Sequence, residues 1–479
     1  MDNMRILLAS SEAVPFAKTG GLADVAGSLP PALKKLGQDI RLIIPKYKCI
    51  ASEYTGKMEK LGEITVNVGW RRQYCGVLKL VHNEVTVYFI DNEYYFKRDG
   101  LYGYFDQAEQ FVFFCKAVIE VLPMIGFKPD VIHCNDWQTA IIPLLLKDHY
   151  KRFPFYSSIK TLFTIHNLSY QGVFPEQVLP DLTGISWEYF NQWGVEFYGG
   201  VNFMKAGLVF ADMLSTVSRT YVEEIKGDFF GENLNGVLNN RSSSLYGILN
   251  GIDTTENDPA TDGRLFANYD VNNLEGKYIN KRMLQQSLGL EENAEIPVIS
   301  VISRLVDQKG FDLIACVLND MLYMDIQIVV LGTGEYRYEE MFKNTSGAFP
   351  RKVSANIRYD ATLAQRIYAG SDMFLMPSLF EPCGLGQLFS MRYGTVPIVR
   401  ETGGLNDTVK AYQESTGEGN GFTFANYNAH DMLYTIRRAV SFYQNKKVWN
   451  KLITKCMSQD YSWNKSALQY VGLYEKLQR

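Results

Sequence analysis

A chain of 479 residues exceeds what one hydrophobic core usually fills, and 46% hydrophobic with 21% charged residues is an ordinary globular balance, so two or more domains are expected. A net charge of −4 argues against a broad nucleic-acid surface, and seven cysteines without a C-x-x-C pair, with five histidines forming no H-E-x-x-H, exclude a disulfide framework or a zinc site. The N-terminal apolar run is too short for a signal peptide and no run reaches about 18 apolar residues, so no membrane contact is expected and the reading is a cytoplasmic enzyme.

In chain order, RILLAS reads as a strand and hands over through KTGGLADV to a helical pattern at Leu22, Val25, Ala26, Leu29, Leu33 and Leu36, which Pro30 and Pro31 are expected to kink or restart. IRLIIP and VTVYFI read as strands and FVFFCKAVIEVL as a helix. DVIHC, TLFTI and MLSTV are further strands. The stretch ENDPATDGRLFANYD is polar and irregular, as the entry to a second domain would be. Beyond it VISVIS, IQIVVL, MFLMPS and TVPIV read as strands, with LAQRIYAG and HDMLYTIRRAVSFYQ as helices. Near-continuous apolar strands separated by helices predict an α/β chain with two parallel sheets covered on both faces.

In KTGGLADV, glycines permit close backbone approach and Lys18 supplies positive charge beside a helix start, a combination suited to an anion. The spacing is not that of G-x-x-x-x-G-K-[ST], nor of G-x-G-x-x-G. Lys18, Thr19 and Gly20 spell the K-T-G of a serine hydrolase set and Ser157 to Lys160 its S-x-x-K, but S-D-N is missing, since Met373 follows Ser371 and Asp372.

Ligands of open α/β sheets sit beyond the carboxyl ends of the strands, and here those ends are polar. DVIHC runs into Asn135, Asp136 and Trp137, TLFTI into His166 and Asn167, and YGIL into Asn250, Gly251 and Asp253. In the second half VISVIS leads to Arg304 and Lys309, VVL to GTGE with Gly334, MFLMPS to FEPCGLGQL, and TVPIV to RETGGL. Two glycine turns with Arg304 and Lys309 have the makings of a diphosphate site in which positive charge neutralises the leaving group.

Taken together, KTGGLADV, HCNDWQT, TIHNLSYQG, NGID, SRLVDQKG, FEPCGLGQL and RYGTVPIVRETGGLNDTV resemble, in this order, the bacterial glycogen synthases and plant starch synthases, from Met4 to about Tyr461. The resemblance implies a GT-B fold, with two Rossmann-like domains flanking an interdomain cleft: an N-terminal starch synthase catalytic domain over 1–250, a nucleotide-sugar-binding domain over 251–458, and a C-terminal helix over 459–479 crossing back to the first. It implies retaining transfer of glucose from ADP-glucose to the nonreducing 4-hydroxyl of an α-1,4-glucan, with no metal or cofactor. The alternatives are a UDP-glucose-using synthase and a glucan-binding regulatory protein on the same fold.

By the same resemblance, Lys18, Gly20 and Gly21 close over the donor, and Arg304 and Lys309 bind its diphosphate. Glu381, Cys383, Gly384 and Leu385 hold the glucose, His166 lies beside the anomeric carbon, and Asp136 is the carboxylate near the acceptor. Tyr359 is placed against the adenine, and Thr402, Gly403 and Gly404 form the loop at the phosphates; Asn167, Asn250 and Gly334 complete the donor-binding set. The plainer reading of Asp136 is a helix cap, of Cys383 a small buried residue, and of His166 a satisfied core histidine. The chain departs from the family pattern at Gly386 (usually threonine), Glu401 (usually arginine), Arg358 (commonly glycine) and Phe389, where the wider group often has a second glutamate.

Overall fold

The apolar runs fold as strands whose side chains are buried on both faces, and the helical patterns cover them. The computed structural model describes residues 3–479, in two units: residues up to Gly251 with Trp463–Arg479, and Ile252–Ser462.

The first unit holds β1 (Arg5–Ala9), β2 (Asp39–Pro45), β3 (Glu59–Val68), β4 (Arg71–His82), β5 (Val85–Asp91), β6 (Val131–Asn135), β7 (Lys160–Ile165), β8 (Val173–Pro175), β9 (Glu196–Phe197), β10 (Gly200–Asn202), β11 (Met213–Thr216) and β12 (Leu245–Gly247). Nine of these form one sheet in the order β12-β11-β7-β6-β1-β2-β5-β4-β3, and β8, β10 and β9 form a small antiparallel sheet. The large sheet is parallel from β12 to β5, but β4 and β3 add on antiparallel, which corrects the expectation of a wholly parallel sheet. The alternating burial of β3 explains the difference, since one face of that edge meets water, and Gly69, at φ 58°, makes the tight turn into β4.

The restart expected at Pro30 and Pro31 does not occur, for the helix Gly21–Lys35 runs unbroken through both. Proline inside a helix costs about 3 kcal/mol. Burying Leu22, Val25, Leu29 and Leu33 returns roughly 1.5–3 kcal/mol each, so packing outweighs the lost backbone bonds.

The helix Trp463–Gln478 belongs to the first unit, where Trp463, Ala467, Tyr470, Val471 and Tyr474 join its core. The Tyr474 hydroxyl lies 2.8 Å from Nδ1 of the buried His133 on β6.

The second unit holds β13 (Val298–Ile302), β14 (Gln327–Leu331), β15 (Val353–Asn356), β16 (Met373–Met376), β17 (Val396–Arg400) and β18 (Phe422–Phe424). They form one sheet, all parallel, in the order β15-β14-β13-β16-β17-β18. Among the described residues no helix is long and apolar enough to cross a membrane.

Candidate active site

In the first unit the glycine turn is held from beneath by a residue the sequence did not single out. Glu12, buried just past β1, accepts hydrogen bonds from the Thr19 backbone N–H (2.5 Å) and hydroxyl (2.9 Å). Burial pushes the Glu12 carboxyl up from its usual range, against the pull of those bonds. Lys18 is half-exposed, and its Nζ donates to Asp24 Oδ1 at 2.7 Å. The helix that follows starts at Gly21 with Gly20 in extended backbone at its N-cap.

Asp136 follows β6 in a strained backbone conformation, φ 54° and ψ 179°, which a non-glycine residue keeps only when its surroundings fix it. It stands at the N-cap position of the turn Trp137–Thr139 but makes no side-chain cap bond. Its Oδ1 instead accepts from the backbone N–H of His166 (2.7 Å) and Asn167 (3.4 Å), so β6 and β7 are tied together at their carboxyl ends. Burial raises the Asp136 carboxyl to about 7, with the nearby Glu12 charge adding to the shift.

His166 is buried and its Nε2 lies 2.9 Å from Asn135 Oδ1. The Asn135 amide nitrogen donates to the carbonyls of Ala9 and His133, so its oxygen faces the imidazole and Nε2 carries the proton. Burial lowers the His166 ring to about 3, which leaves it a neutral hydrogen-bonding group at pH 7. Asn167 turns its side chain to the Ser169 N–H (3.1 Å). Asn250 is buried, and its Oδ1 has no hydrogen-bond partner among the described residues.

In the second unit the loop after β13 carries Arg304 and Lys309. Gly310, at φ 77°, ends that loop where a Cβ would stand 2.2 Å from the Pro377 carbonyl oxygen, so the loop closes on the segment after β16. Lys309 Nζ donates to Glu381 Oε2 at 2.6 Å, and the Ser378 hydroxyl donates to the same oxygen at 3.1 Å. Tyr338 and Arg337 donate to Asp307, and Tyr427 donates to Asp312 and to the Asp307 carbonyl, so the loop is braced on its far side. Arg304 is exposed and has no ion-pair partner among the described residues. Gly334 lets the next loop close on this one: a Cβ there would stand 2.3 Å from the Leu305 carbonyl oxygen, and the two residues form a β-bridge.

Glu381 is only 7% exposed and begins the turn through Cys383, Gly384 and Leu385. Gly384, at φ 71°, lets Gln387 fold back and donate from Nε2 to the carbonyls of Cys383 (3.1 Å) and Gly384 (3.0 Å). Thr402, Gly403 and Gly404 seat directly on this turn. A Cβ at Gly403 would stand 2.0 Å from the Glu381 carbonyl oxygen and one at Gly404 1.9 Å from that of Cys383, while Gly404 N–H donates to Glu381 O at 3.1 Å.

The departures from the family pattern have local explanations. At Gly386 a Cβ would come 3.0 Å from the Phe374 ring, so the volume a threonine needs is already occupied. Glu401 is exposed and accepts from the Thr423 hydroxyl at 2.6 Å. Arg358 is paired with Asp360, and Phe389 packs against the Tyr368 ring.

The structure therefore brings together Asp136, His166 and Asn167 in one unit, and Lys309, Glu381, Cys383, Gly384 and the Thr402–Gly404 loop in the other. Tyr359 is 82% exposed. The supports given no role from sequence are Glu12, Asn135, Ser378 and Gln387; Asn135 and Gln387 lay inside quoted motifs and Ser378 closed the quoted run MFLMPS, whereas nothing in the sequence marks Glu12. Among the described residues no group of three or more His, Cys, Asp or Glu is placed to hold a metal ion.

Residues 5–240 match the family model of the starch synthase catalytic domain, and residues 285–453 that of glycosyl transferases group 1. The chain is 56% identical to the glycogen synthase of Clostridium novyi over 475 residues, covering 99% of each chain. It is 54% identical to that of Anoxybacillus flavithermus over 474 residues, 99% of this chain and 98% of that one. Among solved structures it matches the catalytic domain of starch synthase IV from Arabidopsis thaliana, bound to ADP and acarbose, with TM-score 0.93, 34% identity and full coverage of both chains.

Proposed function

Because this chain belongs to the family of bacterial glycogen synthases and plant starch synthases, we propose how its residues divide the work of elongating a glucan. The protein is a glucosyltransferase of GT-B fold that acts on a nucleotide sugar and a glucan. The donor is ADP-glucose, the acceptor is the nonreducing 4-hydroxyl of an α-1,4-glucan, and transfer proceeds with retention, in the cytoplasm, without metal or cofactor.

The observation that carries this reading is the partly buried Lys309–Glu381 ion pair, 2.6 Å long, on the turn that Gly403 and Gly404 close. A carboxylate held among hydrogen-bond donors is suited to grip sugar hydroxyls. Lys309 and Arg304 supply the positive charge on which a departing diphosphate is stabilised. The leaving diphosphate then takes the proton of the incoming 4-hydroxyl on the same face, so no glucosyl ester forms. Asp136 and the neutral His166 supply hydrogen-bonding groups to uncharged hydroxyls. Gly386 and Glu401, the features favouring a weakened relative, are accommodated by Phe374 and Thr423 and give that alternative no support.

The test is incorporation of radiolabelled glucose into glycogen with ADP-glucose and UDP-glucose in competition. Preferential incorporation from ADP-glucose is expected. Incorporation only from UDP-glucose, or glycogen binding without incorporation from either, sinks the reading.

A further inference from the structure

The turn Lys18–Gly20 has the composition of an anion seat, yet its first donors are already taken. Thr19 gives both its backbone N–H and its hydroxyl to one oxygen, Oε2 of Glu12, which lies just past β1 and is only 3% exposed. Lys18 is engaged by Asp24. What stays open lies one step further on. The helix Gly21–Lys35 starts with no side-chain cap, and the N–H groups of Gly21 and Leu22 donate to no described residue, as the first turn of a helix leaves them.

The segment after β1 grips this turn and helix at three points. Glu12 holds Thr19, the Val14 N–H donates to the Ala23 carbonyl at 3.0 Å, and at Gly27 a Cβ would stand 2.5 Å from the Val14 carbonyl oxygen. Phe16, two residues on, packs edge-on against the Phe89 and Tyr54 rings, so the grip is anchored in the core. The turn cannot rotate relative to the helix without breaking the Glu12 bonds.

A carboxyl group beneath an anion seat would repel the anion if it were charged. Burial pushes Glu12 toward its neutral form, with the nearby Asp24 charge acting in the same direction. A neutral carboxyl still accepts both Thr19 bonds and adds no charge under the diphosphate.

We propose that Glu12 is a positioning residue for the donor: it holds the glycine turn through Thr19 and leaves the Gly21 and Leu22 N–H groups at the helix start for the diphosphate. This rests on the glucosyltransferase reading above. Such N–H groups bind the diphosphate before and after its bond to glucose breaks, so loss of the brace weakens donor binding and leaves the chemical step little changed.

The experiment uses the full chain and its Glu12→Ala, Glu12→Gln, Thr19→Val and Gly21→Pro variants. Calorimetric titration gives the Kd for ADP, and initial rates give kcat and the KM values for ADP-glucose and glycogen. Glu12→Ala is expected to raise the ADP Kd and the ADP-glucose KM about tenfold, with kcat and the glycogen KM within about twofold of wild type. Glu12→Gln keeps an oxygen that accepts both Thr19 bonds and recovers the ADP Kd to within about threefold of wild type. Thr19→Val keeps the N–H bond and loses the hydroxyl bond, so it falls between the two. Gly21→Pro removes one N–H at the helix position that tolerates proline, after a residue already extended, and weakens ADP binding through an arm that does not depend on Glu12→Ala folding. An unchanged ADP Kd in folded Glu12→Ala, or in Gly21→Pro, overturns the proposal. Equal losses in Glu12→Gln and Glu12→Ala overturn it too, because charge and not the brace would then matter. A wild type that binds no ADP removes the glucosyltransferase reading itself and this inference with it.

Discussion

In the first unit, burial without a matching cation biases Glu12 and Asp136 toward their protonated forms and keeps His166 neutral; in the second, Lys309 and Glu381 form a partly buried ion pair and Arg304 is exposed with no ion-pair partner among the described residues. Both regions sit at the carboxyl ends of parallel strands, so the difference lies in charge, not in placement. Desolvation with no counter-charge leaves neutral hydrogen-bonding groups, suited to hydroxyls. A partly buried pair beside an exposed cation is suited to an anion whose arrival rearranges the pair. Charge removal is therefore expected to damage catalysis through the second unit and to be better tolerated in the first.

The largest effect is expected at Lys309. Lys309→Ala lowers kcat by about 10²–10³-fold, roughly 3–4 kcal/mol, as loss of one preorganised electrostatic donor does. Glu381→Gln, which keeps the acceptor oxygen, retains measurable transfer, whereas Glu381→Ala loses far more. Single-turnover ADP release separates these from donor-binding defects. A glucosyl ester trapped on Glu381 by mass spectrometry would replace same-face transfer with double displacement.

Asp136 tests the other side. Because burial holds its folded value near 7, above the ordinary 3.8, the carboxyl contributes stability that is complete below about 4 and is lost as pH rises through 7. Asp136→Asn keeps an acceptor for the His166 and Asn167 N–H groups and cannot ionise. Its stability relative to wild type should therefore rise between pH 4 and 7, by an amount on the order of 4 kcal/mol. Calorimetric Tm values of both proteins at pH 5 and pH 8 decide this. A difference that does not change with pH means the carboxyl is not held neutral.

How much of this was legible in the sequence depends on the kind of interaction. The inner strands and the polar residues at their ends were legible, because burial on both faces writes an apolar run and the residue after it is where the chain leaves the sheet. The β3–β4 hairpin was not, since the first half of EKLGEITVNV is charged and exposed and only ITVNV carries the alternation of an edge strand with one wet face. Pro30 and Pro31 misled because their cost is local while the burial that offsets it is tertiary. At the site, Glu381 and Lys309 were named but their ion pair was not, being a contact across 72 positions. Asp136 looked like a cap, and only the register of β6 against β7 shows its carboxylate facing the next strand's loop.

Gly386→Thr asks whether the second unit's departures from the family pattern concern packing or charge. The added atoms meet the Phe374 ring at 3.0 Å, and the ring is able to shift, so a destabilisation of about 1–2 kcal/mol is expected. Phe374→Leu in the same chain should restore most of the lost Tm. Restored Tm without any change in donor Kd identifies the glycine as a packing partner of Phe374.

The smallest effect is expected at Glu401, which bears most directly on the charge contrast. Its side chain is exposed and, among the described residues, bonded to Thr423, so it adds negative charge to the unit that handles the anion while remaining screened by water and salt. Glu401→Arg removes that charge and adds a cation at the cost of one exposed hydrogen bond. Surface charge changes of this kind are worth less than about 1 kcal/mol. ADP should bind the variant up to about threefold more tightly at low ionic strength, and the gain should vanish as salt is raised through the physiological range. Calorimetric titration of ADP at two salt concentrations reads both. Weaker binding in the variant at low salt would mean that Glu401 supports the Thr402–Gly404 loop through Thr423, and that packing rather than charge governs that edge of the site.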